Sequence, residues 1–177
     1  AVIERRAEQL NAQRFAALQS AIAAAPGGTP SEEALIDVVV GPLLERSLNG
    51  GKGWQNYCRL IAQTATSPEW KDLISELFDP FAQAILDKLQ ERFPDAPRTK
   101  VFAAYYMIVA AMTFVFAQPG RLDRLSKGKF PATALADIYD SMRPFLAAGV
   151  RGLMAEPAAP RGRRPSDPFR GQAKARP

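Results

Sequence analysis

The sequence contains no histidine and only one cysteine, Cys58. Histidine is the commonest general base and the commonest metal ligand in proteins. Its absence excludes a Ser-His-Asp site and would leave a zinc site to one thiolate and carboxylates. A single cysteine excludes an internal disulfide and fits a reducing cytoplasm. We therefore expect a cytoplasmic protein with no enzyme activity, no cofactor and no metal site.

Sustained strand alternation is also missing, whereas apolar residues recur at helical spacing along the chain. The 177 residues, 47% apolar and 23% charged, suit one soluble domain with a substantial core. These features predict an all-α domain of about six helices over residues 1–155. Thr29, Pro30 and Glu32 form a capping-box pattern for the second helix. Pro80 predicts a bend in the fourth helix, and Pro144 a kink or interruption in the last. The predicted helices span residues 1–25, 30–48, 53–66, 68–93, 97–118 and 131–155.

Basic charge is concentrated at the end of the chain. Residues 156–177 carry six basic and two acidic side chains, whereas the other 155 residues carry 17 and 16. A domain that bound DNA by itself should present a basic face, so we expect no DNA contact from the body. The tail is dominated by Pro, Arg, Ala and Gly and cannot build a core. We expect it to be extended and weakly docked, with solubility as its more ordinary role and phosphate contact as the alternative.

The first predicted helix begins at the first residue, and no Ser, Thr, Asp or Asn precedes it as an N-cap. We therefore expect a covalently attached segment before Ala1 in the intact protein.

Several segments resemble the C-terminal domains of TetR-family transcription regulators. VIERRAE at residues 2–8 and LNAQR at 10–14 look like the helix that leaves the DNA-binding head, and GPLL at 41–44 resembles the family's mid-helix proline. RLIA at 59–62 and ELFDPF at 76–81 are similar to the next helix and the long bent helix. The resemblance implies an all-α fold, homodimerisation through the last two long helices and a small-molecule pocket between the middle helices. It also implies that operator DNA is a partner only through an N-terminal helix-turn-helix head, which this sequence lacks.

Aromatic residues on the third, fourth and fifth predicted helices fall where the family places its ligand. Such pockets are mostly apolar with a few polar groups, and tyrosine hydroxyls suit that role. Simple core packing is the alternative for each residue. Arg59 is the one basic residue central in these helices, so we expect a small apolar or amphipathic ligand rather than a polyanion. The expected ligand-binding residues are Trp54, Tyr57, Cys58, Ile61, Phe78, Phe81, Ile85, Phe102, Tyr105, Tyr106 and Val109.

Residues 101–117 contain no charge. As a helix this segment spans about 26 Å, slightly less than a hydrocarbon core of about 30 Å, and we expect no membrane insertion. A helix that is apolar all round needs burial on all sides. A second subunit supplies that burial, so we expect a homodimer with four helices at its centre; a monomeric core is the alternative. The expected interface residues are Ile108, Met112, Val115, Phe116, Leu135, Ile138, Tyr139, Met142, Phe145 and Leu146.

Two functions remain open from the sequence. The first is the effector-sensing and dimerisation domain of a transcription regulator, a repressor that a ligand releases from DNA. The alternative is a helical protein-interaction module without a small-molecule site. A pocket among the third to fifth helices favours the first, and a fully packed interior favours the second.

Overall fold

The structure, a computed structural model, describes residues 2–64, 67–117 and 120–155. These residues form six long α-helices and one of five residues, and no strand occurs among them. The all-α prediction with about six helices is confirmed. The helices are α1 (Val2–Ala24), α2 (Glu32–Asn49), α3 (Lys52–Thr64), α4 (Lys71–Arg92), α5 (Arg98–Phe116), α6 (Arg121–Leu125) and α7 (Leu135–Ala155).

The start of α2 differs from the predicted capping box. Thr29 has an extended backbone, and the Pro30 side chain is fully buried before the helix begins. Ser31 is the N-cap, and its hydroxyl accepts a hydrogen bond from the backbone N–H of Ala34 at 3.2 Å. The prediction of Thr29 as N-cap is therefore wrong, because packing of Pro30 into the core delays the first helical turn by two residues.

The start of α7 also differs from the prediction. Residues 131–134 form a turn, and the backbone N–H of Ala132 donates to the Asp123 carboxylate of α6 at 3.2 Å. Because this contact ties the segment to α6, the helix begins at Leu135 rather than at Pro131. The helix then continues through Pro144 without interruption.

Two prolines lie inside helices that α1 contacts. Pro42 lies in α2 and Pro80 in α4, and a proline inside a helix removes one backbone hydrogen bond and distorts the preceding turn. Arg14 Nε donates to the carbonyl of Val39 at 3.0 Å, and Asn11 Nδ2 donates to the carbonyl of Leu77 at 2.6 Å. Each acceptor lies three residues before its proline. Side chains of α1 thus bind both proline-containing turns.

Helix α2 lies at the centre of the packing. It contacts α1, α3, α4, α5 and α7, and Ile36, Val39 and Val40 are fully buried on it. Helix α5 packs against α3, α4 and α7, and α1 packs against α2 and α4. Helices α1–α5 therefore surround one interior region, while α7 covers another side of α2 and α5.

Two carboxylates on α2 bind basic side chains of other helices. Glu32 pairs with Arg151 of α7 at 2.6 Å and with Arg92 of α4 at 3.3 Å. Asp37 accepts hydrogen bonds from Arg143 Nε and Nη2 at 2.7 and 2.8 Å, and from the Tyr139 hydroxyl. These contacts hold α7 in place along α2.

The predicted Pro/Arg-rich tail, residues 156–177, lies outside the described residues, as do Gln118 and Pro119 at the predicted end of the fifth helix. The boundary between the helical domain and the tail at residue 156 stays a prediction.

Candidate functional site

A cavity of about 110 Å³ lies among α1, α2, α3, α4 and α5. An engineered apolar cavity of roughly 150 Å³ holds benzene, so this space suits a small ring or a short chain in its present shape. Its walls are mainly apolar side chains from all five helices. The lining residues are Leu10, Arg14, Val39, Leu43, Tyr57, Cys58, Ile61, Ile74, Phe78, Phe81, Tyr105, Val109, Met112, Thr113 and Phe116.

Seven of the eleven expected ligand-binding residues line this one cavity, and the other four lie elsewhere. Trp54 is buried beside the guanidinium groups of Arg6 and Arg46, at 4.8 and 5.1 Å from its ring centre. Ile85 is fully buried in the core, and Phe102 and Tyr106 are exposed on α5. The seven lining residues are Tyr57, Cys58, Ile61, Phe78, Phe81, Tyr105 and Val109.

Eight of the fifteen lining residues are missing from the predicted set, and Arg14 is the charged one among them. Its side chain is buried, with 4% of the residue exposed, and its guanidinium lies 5.3 Å from the centre of the Phe81 ring. Nε donates to the Val39 carbonyl, and Nη2 lies 3.3 Å from the Met112 sulfur. Burial lowers the pKa of Arg14 to about 10. The side chain therefore stays positively charged at neutral pH inside an apolar wall.

A signal for Arg14 was present in the sequence. Leu10, Arg14 and Leu18 follow one another at four-residue spacing, which places them on one face of a helix. All three are buried. A charged residue within an apolar stripe marks a position where the core holds a polar group.

Tyr57, Cys58 and Tyr105 are the other titratable groups among the residues that line the cavity. Burial raises the pKa of each, most strongly that of Tyr57. The Cys58 sulfur lies 3.4 Å from the Ser47 hydroxyl. The Tyr57 hydroxyl is buried, and no hydrogen-bond partner for it occurs in the described part of the chain. These groups stay protonated at neutral pH, so they can donate hydrogen bonds to a ligand.

The described cavity wall carries few ionisable groups. Across residues 2–64, 67–117 and 120–155, no group of three or more Cys, Asp or Glu side chains is placed to hold a metal ion. The cavity wall contains no carboxylate. The described wall combines one cation and hydroxyl donors with a large apolar surface, which suits an uncharged or amphipathic ligand.

The expected dimer-interface residues divide into two groups. The chain itself buries seven of the ten, and Met112 and Phe116 also line the cavity. Val115 and Ile138 are half-buried, and Phe145 is 76% exposed. The seven buried residues are Ile108, Met112, Phe116, Leu135, Tyr139, Met142 and Leu146.

Other apolar residues on α5 and α7 are exposed. Helix α5 exposes Tyr106, Met107 and Phe114, which lie on one side of the helix, and α7 exposes Phe145. Near Phe145, a Cβ added at Gly149 or Gly152 would meet no atom of the chain within 4 Å. Packing inside the subunit therefore does not require these glycines. We call these exposed residues of α5 and α7, with Ala110 and Ala148, the α5–α7 face.

Helix α5 is long and apolar enough to cross a membrane, the one such helix among the described residues. Its inward side, however, packs in the protein core, where Val101, Ala104 and Ile108 are buried. A core helix passes the same length and composition test, so this feature is weak evidence for a membrane span.

The helical topology defines an all-α domain with an apolar cavity among its first five helices. A family model described as the tetracycline repressor-like C-terminal domain matches residues 37–149, more than half of the chain. The chain belongs to this family, the C-terminal domains of TetR-type regulators. A comparison with curated protein sequences finds no match.

Proposed function

We propose that this chain is the effector-binding and dimerisation domain of a TetR-family transcriptional regulator in the cytoplasm. A small apolar or amphipathic molecule binds in the cavity of α1–α5, and two copies associate through α5 and α7. DNA contact in such a regulator belongs to a helix-turn-helix head outside this sequence. The observation that carries the proposal is the apolar cavity, which α1 lines directly through Leu10 and Arg14.

The position of α1 supports a route from ligand to DNA. In the family resemblance, the helix at the start of this sequence connects to the head. A ligand in the cavity would contact α1 itself, so it can favour one position of that helix over another. A ligand shifts an equilibrium only by its difference in affinity for the two states. Repression would be relieved if the effector prefers the arrangement that does not fit the operator.

Dimerisation has its support in the α5–α7 face. Soluble monomers seldom expose large contiguous apolar surfaces, and glycines with open space above them allow a second helix to approach closely. Small residues on α7 and bulky ones on α5 suit a closely packed bundle of four helices, two from each subunit.

An interaction module without an effector is the second candidate. The modest cavity volume favours it, because a ligand much larger than a small ring would have to displace side chains. The α5–α7 face would then serve a partner protein.

A ligand screen distinguishes the two candidates. Small apolar and amphipathic compounds are added to the chain, and thermal unfolding is recorded. A compound at a hundred times its Kd should stabilise the folded chain by about 2.7 kcal/mol. We expect Ile61→Trp, which fills the cavity, to abolish this stabilisation. Overpacking should cost that variant roughly 1–3 kcal/mol.

Leu60→Trp is the matched control. Leu60 is the neighbouring residue on α3, is exposed and does not line the cavity, so this variant should keep the ligand response. If no compound in a chemically broad screen raises the unfolding temperature, the effector proposal fails and the interaction module replaces it.

A further inference from the structure

Arg14 has more hydrogen-bonding capacity than its surroundings satisfy. A guanidinium carries five N–H donors. One donates to the Val39 carbonyl at 3.0 Å, and another points to the Met112 sulfur at 3.3 Å, which is a weak acceptor. Among the described residues, the ionisable groups that act on Arg14 are Tyr105, Tyr57 and Cys58, and none of these is a carboxylate. The charge is therefore buried without an anionic partner in the chain.

Such a cation is unusual because buried charges are normally paired. The same protein follows this rule elsewhere, since Glu32 binds both Arg92 and Arg151. The Phe81 ring centre, 5.3 Å from the Arg14 guanidinium, supplies a cation–π contact. This contact compensates only part of the cost of removing a guanidinium from water.

A buried hydroxyl without a hydrogen-bond partner lines the same cavity. The Tyr57 hydroxyl is buried without a hydrogen-bond partner. Both groups line this one cavity, Arg14 from α1 and Tyr57 from α3. A cation and an O–H donor that lack the same kind of partner both require an acceptor, and a carboxylate oxygen satisfies both.

The remaining wall of the cavity is apolar. Ile61, Ile74 and Phe78 line it from α3 and α4 and are half-buried, so the cavity approaches the surface on their side. A ligand with its polar end at Arg14 would therefore place its apolar part against these side chains.

We infer that the cavity binds an organic monocarboxylate whose carboxylate pairs with Arg14 and accepts a hydrogen bond from Tyr57, while its apolar body packs against Ile61, Ile74 and Phe78. The inference rests on the proposed function, because it names the ligand class of the same cavity. One guanidinium neutralises one negative charge. A dianion or a polyphosphate would leave a second buried charge unpaired, which costs several kcal/mol.

The test compares each acid with the alcohol of the same skeleton. Benzoate is paired with benzyl alcohol, and hexanoate with hexanol. Calorimetric titration of the unmodified chain measures the affinities at neutral pH. We expect the carboxylates to bind at least about tenfold more tightly than the alcohols, because hydrogen bonds to charged groups contribute about 1.5–3 kcal/mol.

Three variants assign the effect to residues. Arg14→Met should reduce carboxylate affinity by about tenfold to a hundredfold and leave alcohol affinity nearly unchanged. Tyr57→Phe should reduce carboxylate affinity by roughly twofold to tenfold. Arg59→Met is the matched control, since Arg59 is exposed on the same helix as Tyr57, and its carboxylate affinity should equal that of the unmodified chain.

The outcomes separate this inference from the proposed function. If alcohols bind as tightly as carboxylates, or if Arg14→Met keeps full carboxylate affinity, the cavity binds ligands but the monocarboxylate assignment is overturned. If neither probe class nor the broad screen gives binding, the proposed function fails and the inference with it. Should Arg14→Met not fold, the comparison of acid with alcohol on the unmodified chain decides.

Discussion

Arg14 has opposite effects on binding and on stability. A charged guanidinium without a carboxylate partner costs free energy in the folded state, and the lowered pKa expresses that cost. The unfolded chain holds the proton with the higher, ordinary pKa of an arginine, and the folded chain holds it with a pKa of about 10. The cost is therefore fully present below pH 10 and is relieved as the pH rises from about 10 toward the ordinary pKa of arginine.

Replacing Arg14 by methionine should stabilise the folded chain at neutral pH. Methionine fills a similar volume without a charge, and such replacements of buried ionic groups are neutral or stabilising by about 1–4 kcal/mol. We expect a gain of about 1–3 kcal/mol in the free energy of unfolding, measured by urea denaturation at pH 7. The gain should decrease at pH 11. A variant clearly less stable than the unmodified chain would show that Arg14 serves the fold.

At this scale, the sequence predicted the cavity only in part. The aromatic residues of α3, α4 and α5 were identifiable because helical spacing and residue type suffice to place them near a pocket. Trp54, which the sequence places among the ligand-binding residues, does not line the cavity. Its ring lies beside the guanidinium groups of Arg6 and Arg46. Those contacts depend on how α1 and α2 meet α3, and spacing within one helix carries no such information.

Helix α2 holds the domain together through the buried Glu32. Its side chain is 6% exposed, and it accepts hydrogen bonds from α4 and α7. Burial raises the pKa of Glu32, but the hydrogen bonds from Arg151 and Arg92 outweigh this effect and hold the pKa below 4.5. A carboxylate with a depressed folded pKa contributes stability above its unfolded pKa, and that stability is lost as the pH falls through the folded value.

Glu32→Gln should therefore destabilise the chain at pH 7 and matter less in acid. We expect a loss of about 1–2 kcal/mol, because both arginines are nearly half exposed and water screens them. The difference from the unmodified chain should shrink below pH 4.5. Denaturant titration at several pH values measures it. Glu45→Gln, an exposed position on the same helix, is the control and should change little at any pH.

At the element scale, the sequence predicts that the six long helices exist, but it does not predict where α2 and α7 begin. Apolar periodicity with Pro and Gly punctuation predicts six helices, and six long helices are present. The starts of α2 and α7 moved because Pro30 is buried in the core and because Asp123 binds the backbone of Ala132. Both causes are tertiary contacts, which local capping patterns cannot reveal.

At the scale of the whole molecule, assembly should depend on the α5–α7 face. Several residues that the sequence suggested for the interface are already covered by the subunit. A charge at Met142, for example, would test folding, because that side chain lies in the core. Phe145 is the sharper choice, since it is exposed and packs little within its own chain.

Phe145→Glu should convert a dimer into a folded monomer. An unpaired charge in a closed interface costs several kcal/mol, so the dimer Kd should rise at least about a hundredfold. Light scattering coupled to gel filtration measures the mass, and circular dichroism checks the helices. Leu48→Glu, an exposed apolar position on α2, is the control and should stay dimeric. A monomeric mass for the unmodified chain at micromolar concentration would contradict the assembly proposal.

The two contacts from α1 to the proline-containing turns fix how far that helix can slide. Asn11 and Arg14 lie about one turn apart, and their acceptors belong to different helices. Because a shift of one residue moves a helix by about 1.5 Å along its axis, sliding would break both contacts together. A ligand that draws Arg14 away from Val39 would leave Asn11 as the remaining one of the two. A helix fixed at one such point can pivot, whereas a helix fixed at two keeps its direction.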